Sequence, residues 1–296
     1  MQGLVVFLNG ARGLATLRRI NDAGHEVVRA IVPVGHAHDE TAGAAAELGV
    51  EVIRAAKVND PAFVARLADL KPKISVIAGY SSIFRHPLFT VPQHGTINLH
   101  AGPLPFYRGG SPLNWQIING EPEIGISVIQ VDVGIDTGDV LAERRFRLGR
   151  DDTIATVHES ANKLFPDMVL EVLERIAAGT LVPRRQDATQ ARYWHQRNDG
   201  DGLIHWRDMS AEQVHRLVRA VTRPYPGAHA YRDGSKIRLW RTELTPFALR
   251  GTPGRVVTYQ GQGPFVICRE GAILLREWEV EDRSDLATGD HLGTTP

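Results

Sequence analysis

The first hundred residues alternate short apolar runs with stretches of helical periodicity, and this alternation limits the fold more than any other feature of the chain. Leu4 to Leu8 is an apolar run closed by Asn9-Gly10-Ala11-Arg12-Gly13, after which Leu14, Leu17 and Ile20 recur at helical spacing up to Gly24. Strand, glycine-rich turn and helix open a βαβ unit. Val27 to Val32 reads as the next strand, Ala44 to Leu48 as a short helix, Val50 to Ile53 as a strand and Pro61 to Leu70 as a helix. Ile74 to Ala78 and Thr96 to Leu99 read as further buried strands. The pattern predicts an α/β fold with a doubly wound, mostly parallel, Rossmann-like sheet.

Further along, Ser111 to Asn119 reads as a helix, and Ile124 to Val131 and Val140 to Arg147 as two closing strands. Asp151-Asp152-Thr153 offers an N-cap to a long helix with Ile154, Val157, Ala161, Leu164, Met168, Val172 and Ile176 on one face. Gly179 stops that helix, and Pro166 is expected to kink it. Residues 181–203 have the polar, breaker-rich composition of a linker between a domain at 1–180 and a second at 204–296. The second domain opens on a capping box, Ser210-Ala211-Glu212-Gln213, and continues as short strands with glycine-containing turns, the pattern of a small open barrel.

The chain has 296 residues, 34 Lys and Arg against 34 Asp and Glu, 43% apolar residues and a single cysteine, Cys268. Such a composition excludes intrinsic disorder, collagen-like repeats and a disulfide scaffold. The N-terminus lacks the basic flank and apolar length of a signal peptide, and no apolar run is long enough to span a bilayer, so a cytoplasmic protein without a membrane partner is expected. Zero net charge argues against a whole-protein field for nucleic acid. The zero conceals an asymmetry: Leu181 to Arg241 holds eleven Arg and one Lys against five Asp and one Glu.

Chemistry is expected where strands end. In Ile97-Asn98-Leu99-His100, an Asn and a His at i and i+2 share one face of an extended backbone. Asp132-Val133-Gly134-Ile135-Asp136-Thr137-Gly138 forms an acidic, glycine-rich turn before the last strand. An amide such as Asn98 can donate to an oxyanion, His100 can move a proton near neutral pH, and Asp136 can orient the imidazole. With no Ser or Cys nucleophile beside them and no G-x-S-x-G elbow, direct transfer to an amine is expected rather than a covalent acyl-enzyme. His36-x-His38-Asp39 lacks a further ligand at suitable spacing and reads as a solvated loop, so no metal is expected.

Three ordered motifs, Asn98-Leu99-His100, Leu104-Pro105-x-x-Arg108-Gly109 and Asp132-x-Gly134-x-Asp136-x-Gly138, resemble those of the 10-formyltetrahydrofolate-dependent formyltransferases. The resemblance implies 10-formyltetrahydrofolate as co-substrate and Asn98, His100 and Asp136 as the catalytic residues. It also implies that the pterin lies against Ser82, Ile83, Phe84 and Arg85 and against Asp132, Val133 and Gly134. Phe84 reads equally well as a core aromatic. Ala191-Arg192-Tyr193-Trp194, Asp201 to Trp206 and Val218 to Ala228 resemble the carboxyl-terminal domain of the tRNA- and sugar-modifying members, which implies an OB-like barrel.

Methionyl-tRNA members carry a long basic insertion after the second strand, whereas Val34 to Thr41 is short and holds no Lys or Arg. That departure argues against a nucleic-acid partner. Tyr107 to Trp115 and Pro224-Tyr225-Pro226-Gly227-Ala228 look most like members that formylate a nucleotide-linked 4-amino-4,6-dideoxy sugar. Such a sugar is therefore the expected acceptor, with Asn9, Gly10, Arg12, Tyr107 and Arg108 in its site and the two arginines near its diphosphate. Methionyl-tRNA, hydroxyornithine and other amines are the alternative acceptors. A hydrolase releasing formate, or a folate-binding protein without catalysis, is the alternative of another class. A homodimer is compatible with all of these.

Overall fold

A computed structural model describes residues 1–281 and 285–295. The chain runs β1 (Leu4–Leu8), α1 (Gly10–Asp22), β2 (Val27–Pro33), α2 (Asp39–Glu47), β3 (Val52–Ala55), α3 (Pro61–Asp69), β4 (Ile74–Ala78), α4 (His86–Phe89), β5 (Thr96–His100) and β6 (Arg108–Gly109). It continues as α5 (Pro112–Asn119), β7 (Glu123–Gln130), β8 (Val140–Arg147), α6 (Ile154–Ala177), β9 (Tyr193–Trp194) and α7 (Ala211–Val221). Five strands follow: β10 (Ala228–Arg232), β11 (Ser235–Leu244), β12 (Val256–Tyr259), β13 (Gln262–Ile267) and β14 (Ala272–Val280). Contacts divide the chain into two compact units, Met1–Gly109 with Gly125–Phe146 and Glu159–Trp194, and Gly110–Ile124 with Arg147–His158 and His195–Pro296.

The first unit holds a seven-stranded sheet in the order β3-β2-β1-β4-β5-β7-β8. β1, β2, β3, β4 and β5 pair in parallel, and β7 runs antiparallel to β5 with Ile97 opposite Gln130 and His100 opposite Ser127. β1 and β4 are buried along their whole length, which is why they read as unbroken apolar runs rather than alternating ones. Phe7, Ile31, Phe63, Ile77 and Leu88 join one core cluster. The sheet is the expected mixed, mostly parallel α/β arrangement.

Two local expectations, the bounds of α2 and β3, differ from what is observed. α2 begins at Asp39, not Ala44, because Asp39 and Glu40 place negative charge in its first turn. β3 covers Val52–Ala55 instead of Val50 to Ile53. α6 continues through Pro166 as one helix. The stretch 181–203, polar in composition, is also structured in part. Arg184 exchanges two backbone hydrogen bonds with Val140 (2.9 and 2.8 Å), and β9 pairs in parallel with β6.

In the second unit, β10-β11-β14-β13-β12 form an antiparallel sheet. Isolated bridges from Tyr231 to Gly293 and from Arg255 to His291 tie the final segment to both ends of that order, giving a small, partly closed barrel. β10 and β11 are joined by Asp233-Gly234, both at positive φ (47° and 88°), the two-residue turn that suits the twist of a hairpin. α7 carries the expected capping box between Ser210 and Gln213, and Asn114 of α5 donates to the Ala220 carbonyl of α7 at 2.7 Å.

Much of the arginine excess is answered by internal pairs, including Arg184 with Glu143 (2.8 Å), Arg232 with Asp290 (2.7 Å), Arg216 with Glu212 and Arg223 with Glu277. Asp199 takes both Arg238 (2.8 Å) and Lys236 (3.1 Å). The Arg238 hydrogen bond, helped by Lys236, lowers the Asp199 carboxyl to about 2. Because the folded value lies below the unfolded one, this contribution is complete above the ordinary carboxylate range and disappears as pH falls through about 2. At 41% side-chain exposure the pair is solvent-screened and contributes no more than about 1 kcal/mol. In acid titrations followed by circular dichroism, the stability gap between the wild type and Asp199→Asn should therefore close toward pH 2.

Among the described residues, no helix is long and apolar enough to cross a membrane. No group of three or more His, Cys, Asp or Glu among them could hold a metal ion.

Candidate active site

β5 places Asn98 and His100 two residues apart on one face, with β4 and β7 paired on either side. His100 is buried, and its Nε2 lies 2.6 Å from the carbonyl oxygen of Tyr107. A carbonyl only accepts, so Nε2 carries the hydrogen and Nδ1 is turned to Asp136 Oδ1 at 3.4 Å. Gly102 makes this approach possible. A Cβ there would stand 2.8 Å from the Tyr107 oxygen and 2.9 Å from His100 Nε2.

Because β7 is antiparallel to β5, the turn after it starts beside the beginning of β5, where the Val131 N–H donates to the Thr96 carbonyl at 2.8 Å. The chain then folds back to bring Asp136 to the imidazole. Asp132 Oδ1 closes that turn by accepting from the Gly134 N–H (3.1 Å) and the Thr137 hydroxyl (2.5 Å). Asp136 sits at φ 53°, a left-handed conformation that Asp tolerates better than most residues. Its Oδ2 accepts from the Gly109 N–H at 2.9 Å. With 15% side-chain exposure against 6% for His100, the carboxylate is the more accessible member of the pair. Asn98 is half-buried, and its amide makes no hydrogen bond to other described residues, which leaves its donors available. Burial pushes the Cys268 thiol up to about 12, so it is no nucleophile.

The remaining site expectations divide. Ser82, Ile83 and Arg85 are exposed on the loop after β4, and Val133 and Gly134 are exposed on the turn after β7. Phe84 belongs to the core instead: it is 7% exposed and meets Phe7 edge-on with ring centroids 4.7 Å apart. Phe84→Ala should cost about 3–5 kcal/mol in urea unfolding, while the neighbouring Ile83→Ala stays within about 0.5 kcal/mol. Asn59 clamps the loop by donating to the Ile83 carbonyl (2.8 Å) and accepting from the Arg85 N–H (2.9 Å). No motif marked it.

The expected anion site is corrected most. Arg108 is 4% exposed, with Nε and Nη2 donating to Gln186 Oε1 (3.0 and 2.8 Å) and Nη1 to the Tyr193 hydroxyl (2.8 Å). A buried guanidinium committed in this way is not offered to a diphosphate. Tyr107 is buried and stacked on Trp194, and its carbonyl rather than its ring meets His100. Arg12 donates to Asn162 Oδ1 (3.0 Å) and lies over the Phe165 ring, the role of a helix-surface residue. Asn9 is the N-cap residue of α1, with Oδ1 2.9 Å from His38 Nδ1, and the Gly10 N–H donates to Thr41 Oγ1 at 3.2 Å.

A family profile described as Formyl transferase matches residues 14–173, and one described as Formyl transferase, C-terminal domain, matches residues 198–292. The chain is 33% identical over 302 aligned residues to a methionyl-tRNA formyltransferase of Geobacter metallireducens, covering 99% of this chain and 96% of the relative. Among solved structures it is similar to the N-formyltransferase from Helicobacter canadensis in complex with folinic acid and dTDP-3-aminofucose (TM-score 0.72, 16% identity, 94% of this chain and 100% of that one). It is also similar to HypX from Aquifex aeolicus in complex with tetrahydrofolic acid (TM-score 0.66, 20% identity), covering 93% of this chain but spanning only 44% of that longer one.

Proposed function

The chain belongs to the formyl transferase family, whose formyl donor is 10-formyltetrahydrofolate, and on that premise we propose that it formylates the α-amino group of methionine carried on a tRNA. The observation that carries the acceptor is the likeness to a methionyl-tRNA formyltransferase through 99% of the chain, both matched domains included. This reading replaces the nucleotide sugar expected from sequence. The proteins named for sugars are distant structural neighbours, and the arginine meant for a diphosphate is held by Gln186.

Within the site, Asn98 donates an amide N–H to the oxygen that gains charge as the formyl carbon is attacked. Asp136, the more exposed member of the pair, takes the proton released by the amine beside His100 Nδ1 at 3.4 Å, and the pair returns it to the folate nitrogen as the bond between that nitrogen and the formyl carbon breaks. The Tyr107 carbonyl holds Nε2–H and so fixes which nitrogen faces the carboxylate. This assignment moves the first proton acceptor from His100 to Asp136.

The loops after β4 and β7 suit the co-substrate. Ile83, Val133 and Ile135 are 74%, 85% and 55% exposed, apolar side chains of a kind that a flat heterocycle can cover. When bound, 10-formyltetrahydrofolate supplies the activated one-carbon unit.

Purified protein with 10-formyltetrahydrofolate, offered methionyl-tRNA and a panel of nucleotide-linked amino sugars in parallel, tests the acceptor by mass spectrometry. Formyl-methionine on tRNA is the expected product. Formylation confined to a sugar would restore the other acceptor and leave the donor chemistry standing.

A further inference from the structure

The stretch that composition marks as a linker supplies a buried side chain to the turn carrying Asp136. Gln186 is 8% exposed, and its single amide nitrogen donates to two carbonyl oxygens of that turn, Asp136 O at 2.8 Å and Gly138 O at 2.6 Å. Its oxygen is in turn held by two guanidinium donors of Arg108, at 3.0 and 2.8 Å. The residue after Arg108 then closes a ring, because the Gly109 N–H donates to the Asp136 carboxylate at 2.9 Å. One side chain thus grips the backbone of Asp136 while the strand that anchors it, β6, grips the carboxylate.

We propose that Gln186 is the positioning residue of the reaction, holding Asp136 at the distance and angle from His100 at which the pair can take a proton. The proposal rests on Asp136 acting as read above. A residue at φ 53° is not held by its own preference, so the carboxylate stays on the imidazole only while the turn is held from outside. Two N–H donors on two carbonyls of a tight turn, those of Asp136 and Gly138 on either side of Thr137, provide that restraint, and Arg108 prevents the amide from rotating its oxygen toward them. Neither Gln186 nor Arg108 touches the reacting atoms in this scheme. Both act through Asp136.

The test uses the full-length chain with 10-formyltetrahydrofolate and methionyl-tRNA under single-turnover and steady-state conditions. Gln186→Glu keeps the size of the side chain and gives Arg108 a carboxylate to bind, but removes both donors to the turn. Displacing a proton-transfer group by a fraction of an ångström to an ångström is expected to lower kcat about 100-fold, with the KM for the folate unchanged within about threefold. Arg108→Lys, which retains charge but loses the paired Nε and Nη2 donors, should show the same split at about tenfold. It decides the matter if the Glu variant does not fold. In an Asp136→Ala background, Gln186→Glu should produce no further loss, since its effect runs through that carboxylate. A folded Gln186→Glu enzyme with kcat within about threefold of wild type, or a loss that multiplies with Asp136→Ala, would overturn the proposal. If Asp136→Ala itself turns over normally, the reading of the site fails, which is a different result.

Discussion

Asn98→Ala is expected to lower kcat by about 100- to 1000-fold while the KM for 10-formyltetrahydrofolate moves less than threefold, the signature of losing one preorganised oxyanion donor. The argument is geometric. Asn98 shares the face of β5 with His100, sits half-buried between β4 and β7, and spends none of its amide donors on the described residues. A donor fixed by a central strand does not need to reorganise when charge appears on the formyl oxygen. The substitution removes no hydrogen bond within the described residues, so stability should fall by no more than about 1 kcal/mol. Equal losses in kcat and in folate affinity would instead place Asn98 in ground-state binding.

Asp136→Asn should lower kcat by about 100- to 10,000-fold, the range for removing a positioned proton acceptor. Asn is the informative replacement because it tolerates the left-handed conformation at this position. It can also keep accepting from the Gly109 N–H, so the turn survives while the negative charge beside His100 Nδ1 is lost. A melting temperature close to wild type, together with the collapse in turnover, would separate chemistry from folding. Near-normal turnover would remove Asp136 from the proton path.

How much of this was legible in the sequence depends on the reach of each interaction. The parallel sheet was legible because buried strands leave unbroken apolar runs, as in Leu4 to Leu8 and Ile74 to Ala78. The proximity of Asn98 and His100 followed from the two-residue period of a strand. β10 leaves little trace in the sequence, although Asp233-Gly234 after it is a hairpin signal, because the strand AHAYR has too little apolar character to stand out. The early start of α2 was missed because its first residues, Asp39 and Glu40, are polar and only favour the helix through its dipole.

Long-range polar contacts leave no such trace. Gln186 meets Asp136 across 50 residues, and a glutamine after two arginines looks like any solvated segment. Arg108 shows the converse. Its loop was conspicuous, yet an arginine's chemistry suits a ligand phosphate and an internal carbonyl alike, and only burial decides between them.

The most direct test of the account follows an isotopic label in the formyl group of 10-formyltetrahydrofolate through one turnover with methionyl-tRNA. Direct transfer predicts that the label appears on the α-amino nitrogen, that none remains bound to the protein, and that Asn98→Ala and Asp136→Asn slow its arrival. Label released as formate without an acceptor, or retained on the protein, would contradict the account.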